Sequence, residues 1–192
     1  MKEGGHKFGG RSSATPPRVH HTLPPAAGSR SSPLRRLPAR KTPVHFPPIQ
    51  SGFQSVITCL TVCVHRRRPI LATVGASRLI LRAWQTATFW KVGRYVIMPD
   101  HVHLFCAPNS FPAQSLNNWI VFWKNHVTRA WPNRDQIPIW QREYWDRQLR
   151  RVDSYAQKWD YVSDNPVRHG YVATAIDWPY QGEPNILEWH DR

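Results

Sequence analysis

Two histidines, His101 and His103, stand two residues apart in a short apolar segment that follows the turn-forming pair Pro99-Asp100. Side chains of a β-strand alternate between its faces, so both imidazoles emerge on the same side. Two neutral imidazoles held close together supply half of the ligands that a divalent metal ion needs. On spacing alone this is a weak signal, because a His-x-His pattern also arises by chance in ordinary strands.

A tyrosine and an asparagine near the other end of the chain are candidates for the rest of this chemistry. Tyr161 and Asn165 are four residues apart, which places them on one face of a predicted helix. That face differs from the apolar stripe of Tyr155, Trp159 and Val162, so Tyr161 is free of the core. A tyrosine near a divalent ion on a basic protein points to phosphodiester transesterification, in which the phenol oxygen attacks phosphorus and forms a covalent intermediate.

We expect the ion to be Mg²⁺ or Mn²⁺, bound through His101, His103 and Asn165, because two imidazoles and an amide oxygen leave coordination positions open for phosphate. The ion would polarise the scissile phosphate and neutralise developing charge. A free tyrosine has a pKa of about 10 and is almost entirely protonated at neutral pH. Lys158, one helical turn before Tyr161, could stabilise the phenolate, although an exposed, solvated lysine is the commoner role for such a residue.

Composition narrows the class of partner. The 192 residues leave room for one ordinary domain, and the formal charge of +14 with a pI of about 10.6 is typical of a protein that binds nucleic acid. No apolar run is long enough to cross a bilayer, so we expect no membrane insertion. The three cysteines match neither a disulfide framework nor zinc spacing and are interpreted as reduced core residues of a cytosolic protein: Cys59, Cys63 and Cys106.

The first fifty residues differ in kind from the rest. Residues 1–50 hold nine of the eighteen prolines, no tryptophan, and nine basic residues against one acidic residue. This composition predicts a disordered basic extension. The segment could be a DNA-binding arm, a transit peptide or a translated stretch upstream of the true start. We favour the interpretation that it has no specific function. Residues 51–182 are predicted to form the domain, and residues 183–192 a C-terminal tail.

The order of the elements predicts an α+β fold, with one antiparallel sheet and helices packed on it. Polarity patterns and capping residues define these elements. They are a strand at Val56–Val64, a helix capped by Ser77 that runs to Trp90, strands at Lys91–Met98 and His101–Ala107, a helix capped by Ser115, an extended strand or irregular connection at Ile137–Arg150, and a helix capped by Asp153 that runs to about Asp164.

Three motifs in this order, MPDHVH at 98–103, YWDRQLR at 144–150 and DYVSDNPVRHG at 160–170, give the chain a family resemblance. Over residues 53–180 it resembles the single-tyrosine HUH transposases, and among them the REP-associated tyrosine transposases of bacteria. The resemblance implies a ferredoxin-like (RRM-like) domain of the HUH endonuclease type. Such a domain acts on single-stranded DNA with hairpin-forming, palindromic repeats, as a monomer or homodimer in the bacterial cytoplasm at the nucleoid.

By the same resemblance, His101 and His103 take the metal-ligand role, Tyr161 that of the nucleophile and Asn165 that of the third ligand. Further basic residues are predicted to contact DNA: Arg142, Arg147, Arg150, Arg151, Lys124 and Lys158. Two other classes remain open. A non-catalytic module of the same fold would bind single strands without cutting them, and a metallohydrolase that activates water would not need Tyr161.

Overall fold

The computed structural model describes residues 57–110, 112–149 and 152–187, so the predicted extension at residues 1–50 lies outside them. Five strands and four helices follow one another along the chain. In chain order they are β1 (Thr58–Cys63), α1 (Val74–Thr86), β2 (Trp90–Ile97), β3 (His101–Pro108), α2 (Leu116–Ala130), β4 (Trp145–Gln148), α3 (Val152–Ser163), α4 (Asn165–Arg168) and β5 (Gln181–Gly182). None of the helices in these ranges has the length and apolar character needed to span a bilayer.

All five strands form one antiparallel sheet in the order β4-β1-β3-β2-β5. The central strand β3 pairs with β1 on one side and with β2 on the other, so its side chains are held in register from both edges. The predicted α+β fold with one antiparallel sheet is confirmed.

The sheet separates two hydrophobic clusters. Leu104 and Cys106 of β3 face the cluster that includes side chains of α1 and α2. Phe105, between them, faces the opposite cluster, where it makes edge contacts with the rings of Tyr155 and Trp159 on α3. Because β3 alternates strictly, the histidines that precede Phe105 at even spacing share the α3 face.

The first helix begins earlier than the sequence indicated. Thr73, and not Ser77, caps α1: its hydroxyl oxygen accepts a hydrogen bond from the Ala76 amide at 3.1 Å. The Ser77 hydroxyl lies within the helix and donates to the Val74 carbonyl. The helix ends at Thr86, and Trp90 already belongs to β2, where its buried ring packs in the core.

The second helix follows its prediction except at one residue. Ser115 caps α2 by accepting a hydrogen bond from the Asn118 amide, and the apolar stripe is buried. Lys124, however, is 8% exposed, and its ammonium donates to the carbonyls of Gln141 (2.6 Å) and Arg142 (3.2 Å). Burial lowers the pKa of Lys124 to about 8, against the effect of the Glu143 carboxylate. The structure does not support a DNA contact for Lys124, because its donors are committed to the segment that leads into β4.

The last helical region is divided. Helix α3 begins at Val152, so the predicted cap Asp153 falls inside its first turn, and it ends at Ser163. The short α4 starts at Asn165 after one turn residue, Asp164, whose backbone is close to helical. Pro166 lies in the first turn of α4, where the missing N–H group of proline costs no hydrogen bond within that helix. Gly170 then reverses the chain at φ +71°, a conformation that glycine adopts without steric cost.

The domain continues past the predicted boundary after residue 182. The Asn185 amide donates to the Val92 carbonyl at 2.8 Å, and Leu187 is buried on the α3 face. A Cβ atom at Gly93 would lie 2.6 Å from Leu187 Cγ, so the glycine permits this close approach. Residues 183–187 are therefore packed on β2, and the remainder of the predicted tail lies outside the described residues.

The role of Lys124 can be tested by Lys124→Met, which keeps the length of the side chain and removes its charge. We expect the free energy of unfolding to fall by about 1–3 kcal/mol, because two carbonyls lose a charged donor. Lys91→Met, which alters an exposed lysine of β2, should change it by less than about 0.5 kcal/mol. Urea unfolding measures both. If Lys124→Met is as stable as the parent protein and its DNA binding depends less on salt, the conclusion is wrong and Lys124 contacts DNA.

Candidate functional site

The two histidines of β3 meet on the α3 face of the sheet. His101 is buried, and its Nε2 atom lies 3.1 Å from Nε2 of His103, with the ring planes nearly perpendicular. Across the sheet, His101 is opposite Cys63 and His103 is opposite Thr61 of β1. The strand places both imidazoles together, as their spacing predicted.

A carboxylate fixes the orientation of His101. The His101 Nδ1–H group donates to Asp100 Oδ1 at 2.7 Å, and the other oxygen of Asp100 pairs with Arg67 Nε at 2.7 Å. Arg67 also donates to the sulfur of Cys63 at 2.8 Å. The backbone at Arg66 and Arg67 has φ of 57° and 56°, a left-handed conformation that costs free energy for residues with a Cβ. This strained turn brings the guanidinium to Asp100.

Thr61 orients the ring of His103, as Asp100 orients that of His101. The Thr61 hydroxyl lies 2.9 Å from His103 Nδ1. A hydroxyl can donate or accept, so it supports either tautomer of this ring. When Thr61 accepts from the Nδ1–H group, the Nε2 lone pair of His103 is free. When Thr61 donates, the proton moves to Nε2 and can bridge the two rings.

Both imidazoles are held in their neutral form. Burial is the main cause that lowers the pKa of His103 to about 3, and the charges of His101, Lys158, Arg67 and Arg168 contribute to this value. Burial also lowers the pKa of His101, against the opposing effect of its hydrogen bond to Asp100. A neutral imidazole keeps a lone pair for a metal ion.

The histidine pair fits a divalent ion. Each Nδ1 atom has a polar partner, which leaves Nε2 as the ligand atom, an arrangement typical of metal-binding histidines. The two Nε2 atoms lie 3.1 Å apart and would be able to face one ion. Within the described ranges, no group of three or more His, Cys, Asp or Glu side chains could hold a metal ion. A further ligand from the described residues would therefore have to be of another kind, such as the amide oxygen of Asn165.

Aromatic packing anchors α3 over this face. The rings of Tyr155 and Trp159 contact Phe105, and the Arg94 guanidinium of β2 lies 5.5 and 5.4 Å from their ring centroids. Val162 is buried in the same cluster. The predicted apolar stripe of α3 is therefore the face that packs on the sheet, and Tyr161 lies off it.

Tyr161 is accessible and lies among cations. Its side chain is 55% exposed, the Arg168 guanidinium carbon lies 3.9 Å from its ring centroid, and Lys158 Nζ lies 5.1 Å from it. The charges of the same two cations lower the pKa of His103. The same two cations are therefore close enough to Tyr161 and to His103 to act on both electrostatically.

Asn165 is joined to Tyr161 through Arg168. Asn165 is 7% exposed, and its Oδ1 atom accepts a hydrogen bond from Arg168 at 2.6 Å. The same guanidinium nitrogen donates to the Tyr161 carbonyl at 2.6 Å. The Nδ2 group of Asn165 is buried without a hydrogen-bond partner, and no hydrogen bond joins Asn165 to either imidazole in the described part of the chain. The amide oxygen has a second lone pair, so its bond to Arg168 still leaves one for a cation.

The other predicted DNA contacts have varied environments. The side chain of Arg142 is 96% exposed and lies 3.9 Å from Glu143, whereas Arg147 is exposed on the edge strand β4. Lys158 is half-buried beside Tyr161. Arg150 and Arg151 lie outside the described residues.

Sequence reasoning did not single out Arg67, Thr61 or Arg168 as parts of this site. Arg67 stands in a run of three arginines that resembles an ordinary basic turn, and Thr61 in a β-branched strand. Arg168 had a usable signal, because it follows Tyr161 by seven residues and Asn165 by three. These spacings fall on neighbouring positions of a helical surface.

Comparison with known proteins supports the motif resemblance. No family model matches the chain. A Haemophilus influenzae protein named as a candidate REP-associated tyrosine transposase is 35% identical over 96 residues, which are 44% of this chain and 53% of that relative. The chain thus matches only about half the length of this relative. The REP-associated tyrosine transposase of Escherichia coli K12 is 28% identical over 123 residues, which are 62% of this chain and 72% of that protein.

A solved structure gives the same result for the fold. The structure of a REP-associated tyrosine transposase bound to a REP hairpin matches with a TM-score of 0.58 and 21% identity, over 72% of this chain and 81% of that one. At this identity the match shows the fold alone. The sequence matches and the fold thus agree with the three motifs, and the chain is similar to REP-associated tyrosine transposases.

Proposed function

We propose that this protein cleaves and rejoins single-stranded DNA beside hairpin-forming repeats, through a covalent bond between Tyr161 and a 5′-phosphate. The proposal rests most directly on one observation. An accessible tyrosine shares a group of cations with a neutral, oriented pair of histidines. A single-strand binder needs cations and aromatic rings, but it does not need this combination.

The chemistry would proceed as a transesterification. The Tyr161 oxygen attacks phosphorus, the bond to the 3′-oxygen breaks, and the phenol proton passes through solvent to the leaving 3′-hydroxyl. The 5′-phosphate remains on the tyrosine. A 3′-hydroxyl that attacks this phosphotyrosine reverses the exchange and rejoins DNA, so neither an oxidant nor a nucleotide cofactor is required.

The residues around Tyr161 have separable roles in this proposal. Lys158 and Arg168 would stabilise the phosphate electrostatically, since their charges lie 5.1 and 3.9 Å from the centroid of the Tyr161 ring. His101, His103 and Asn165 would hold Mg²⁺ or Mn²⁺, which when bound polarises the scissile phosphate. Asp100 and Thr61 orient the two imidazoles.

Arg168 is proposed as a positioning residue. Its contacts to the Tyr161 ring, the Tyr161 carbonyl and the Asn165 amide cross the break between α3 and α4. It thereby fixes the nucleophile relative to the third ligand. An additional contact to Asp164 at 3.8 Å is exposed and contributes little.

The nucleophile is tested with labelled single-stranded hairpin DNA, Mn²⁺ and a denaturing protein gel. We expect a protein–DNA adduct that is absent from Tyr161→Phe, whose ring still packs while the attacking oxygen is gone. Tyr155→Phe is the matched control, because it keeps the ring that packs against Phe105 in the core and should leave the adduct intact. Cutting by Tyr161→Phe without an adduct would support a water-using hydrolase. DNA binding without cutting in any metal would support the binding module.

The metal site is tested by titrating Mn²⁺ and measuring the free ion by electron paramagnetic resonance. His103→Ala removes one of the paired Nε2 atoms and should weaken binding by at least about tenfold, because few protein ligands remain. His126→Ala, on α2 across the sheet, should bind Mn²⁺ like the parent. Undiminished DNA cleavage in EDTA would contradict the metal requirement.

The positioning role of Arg168 is tested by comparing Arg168→Lys with Arg168→Met. Lysine keeps the positive charge but cannot reproduce the guanidinium contacts to Tyr161 and Asn165. The cleavage rate of both variants should therefore fall on the order of 100-fold, because the nucleophile is misplaced. Single-strand affinity should change little in Arg168→Lys. Arg82→Met, on the exposed face of α1, is the control for general loss of charge. Full rescue of the rate by lysine would reduce Arg168 to an electrostatic role.

A further inference from the structure

Trp145 is an exposed aromatic side chain on the edge strand β4, and the proposed chemistry does not use it. It is 51% exposed, whereas the other tryptophans in the described ranges are buried or half-buried. No aromatic ring of the described chain contacts it. A single exposed apolar residue is common on protein surfaces, so its position decides what it means.

The sheet register places Trp145 beside the histidine pair. Trp145 is directly opposite Thr61 of β1, and Thr61 is directly opposite His103 of β3. Residues directly opposite each other in antiparallel strands project to the same face. Two interstrand spacings, about 10 Å in all, therefore separate the backbones of Trp145 and His103. Thr61, the residue between them, is hydrogen-bonded to His103.

Cations line the same face. Arg147 stands two residues after Trp145, opposite Cys59, and is exposed. Burial raises the pKa of the Cys59 thiol to about 11, and the charges of Lys158 on α3 and Arg147 on β4 oppose this rise. Both cations are therefore close enough to Cys59 to act on it electrostatically, and Arg147 is its direct cross-strand neighbour. Positive charge extends in this way from Tyr161 toward the edge strand.

A row of cations that ends at an exposed aromatic ring has the composition of a single-strand binding surface. Such surfaces hold phosphates with basic residues and stack unpaired bases on aromatic rings. The edge position of β4 leaves the outer side of Trp145 free of any further strand in the described sheet. A second copy of the chain is the alternative occupant of this edge, and its association is one outcome of the test.

We propose that Trp145 stacks on an unpaired nucleobase of the DNA strand that enters the site, close to the phosphate attacked by Tyr161. This inference rests on the proposed function for its choice of substrate. It assigns two distinct roles on β4, with Arg147 holding a phosphate and Trp145 holding a base. Stacking tolerates any base, so Trp145 would position the strand without reading its sequence.

The test uses the Tyr161→Phe protein, which we expect to bind without cutting, and a mixed-sequence DNA hairpin with unpaired flanks. The fluorescent base 2-aminopurine is placed at one flank position after another. We expect strong quenching at one position, which Trp145→Ala abolishes and Trp145→Phe partly retains. Phe122→Ala, an equally exposed ring on α2 across the sheet, should quench like the parent.

Affinity distinguishes stacking from phosphate contact. Trp145→Ala should raise Kd by about 5- to 100-fold without altering the slope of log K against log salt. Arg147→Gln should flatten this slope by about 0.7. An abasic site at the position where 2-aminopurine is quenched should raise Kd for the protein that retains Trp145 by as much as Trp145→Ala does. In the Trp145→Ala variant, the abasic site should cause no further rise in Kd.

Each other outcome overturns the inference. Equal affinity and equal quenching in Trp145→Ala would remove the stacking role, and a loss of dimer in sedimentation without any change in quenching would assign β4 to self-association. If Trp145→Ala fails to fold, Trp145→Phe and the abasic probe decide alone. If Trp145-dependent quenching is observed but the protein with Tyr161 forms no covalent adduct, the proposed cleavage is rejected and the stacking role of Trp145 is retained. No DNA binding at all would reject both.

Discussion

The strict alternation of β3 is the constraint on which the rest of this site depends. Pairing on both edges fixes the strand in register, so His101, His103 and Phe105 must all face α3. Phe105 then receives the rings of α3, and the histidines stand next to the helix that carries Tyr161. A shift of one residue would turn all three side chains into the α1–α2 core. One strand thus positions the metal-ligand pair and anchors the helix of the nucleophile.

A second constraint is electrostatic. The site collects Arg67, Lys158 and Arg168 around two imidazoles, and burial with these charges keeps His103 unprotonated. Positive charge that would repel a protonated histidine is suited to a phosphate, which is the group that the proposed reaction brings in. Asp100 is the carboxylate that approaches His101, and Arg67 shares it. The two neutral imidazoles and the cations around them therefore favour an anionic substrate over a cationic substrate.

Much of this arrangement could be predicted from sequence, since it depends on local periodicity. The parity of His101 and His103, the apolar stripe of α3 and the cap at Ser115 follow from the spacing of side chains along one element. The partners supplied by other elements could not be predicted. Thr61 meets His103 only through the register of β1, and the burial of Lys124 depends on two carbonyls that precede β4. The cap of α1 was misplaced because Thr73 and Ser77 are both good capping residues, and the buried Ala76 and Ile80 select the earlier one.

The central claim is that Tyr161 carries the DNA phosphate, and peptide mapping tests it most directly. The protein is incubated with single-stranded hairpin DNA and Mn²⁺, digested with nuclease and protease, and examined by tandem mass spectrometry. We expect a nucleotide phosphate attached to the phenol oxygen of Tyr161, and unmodified peptides that carry Tyr155 and Tyr171. A phosphate on a different side chain, or cleaved DNA with a free 5′-phosphate and no modified peptide, would contradict the account.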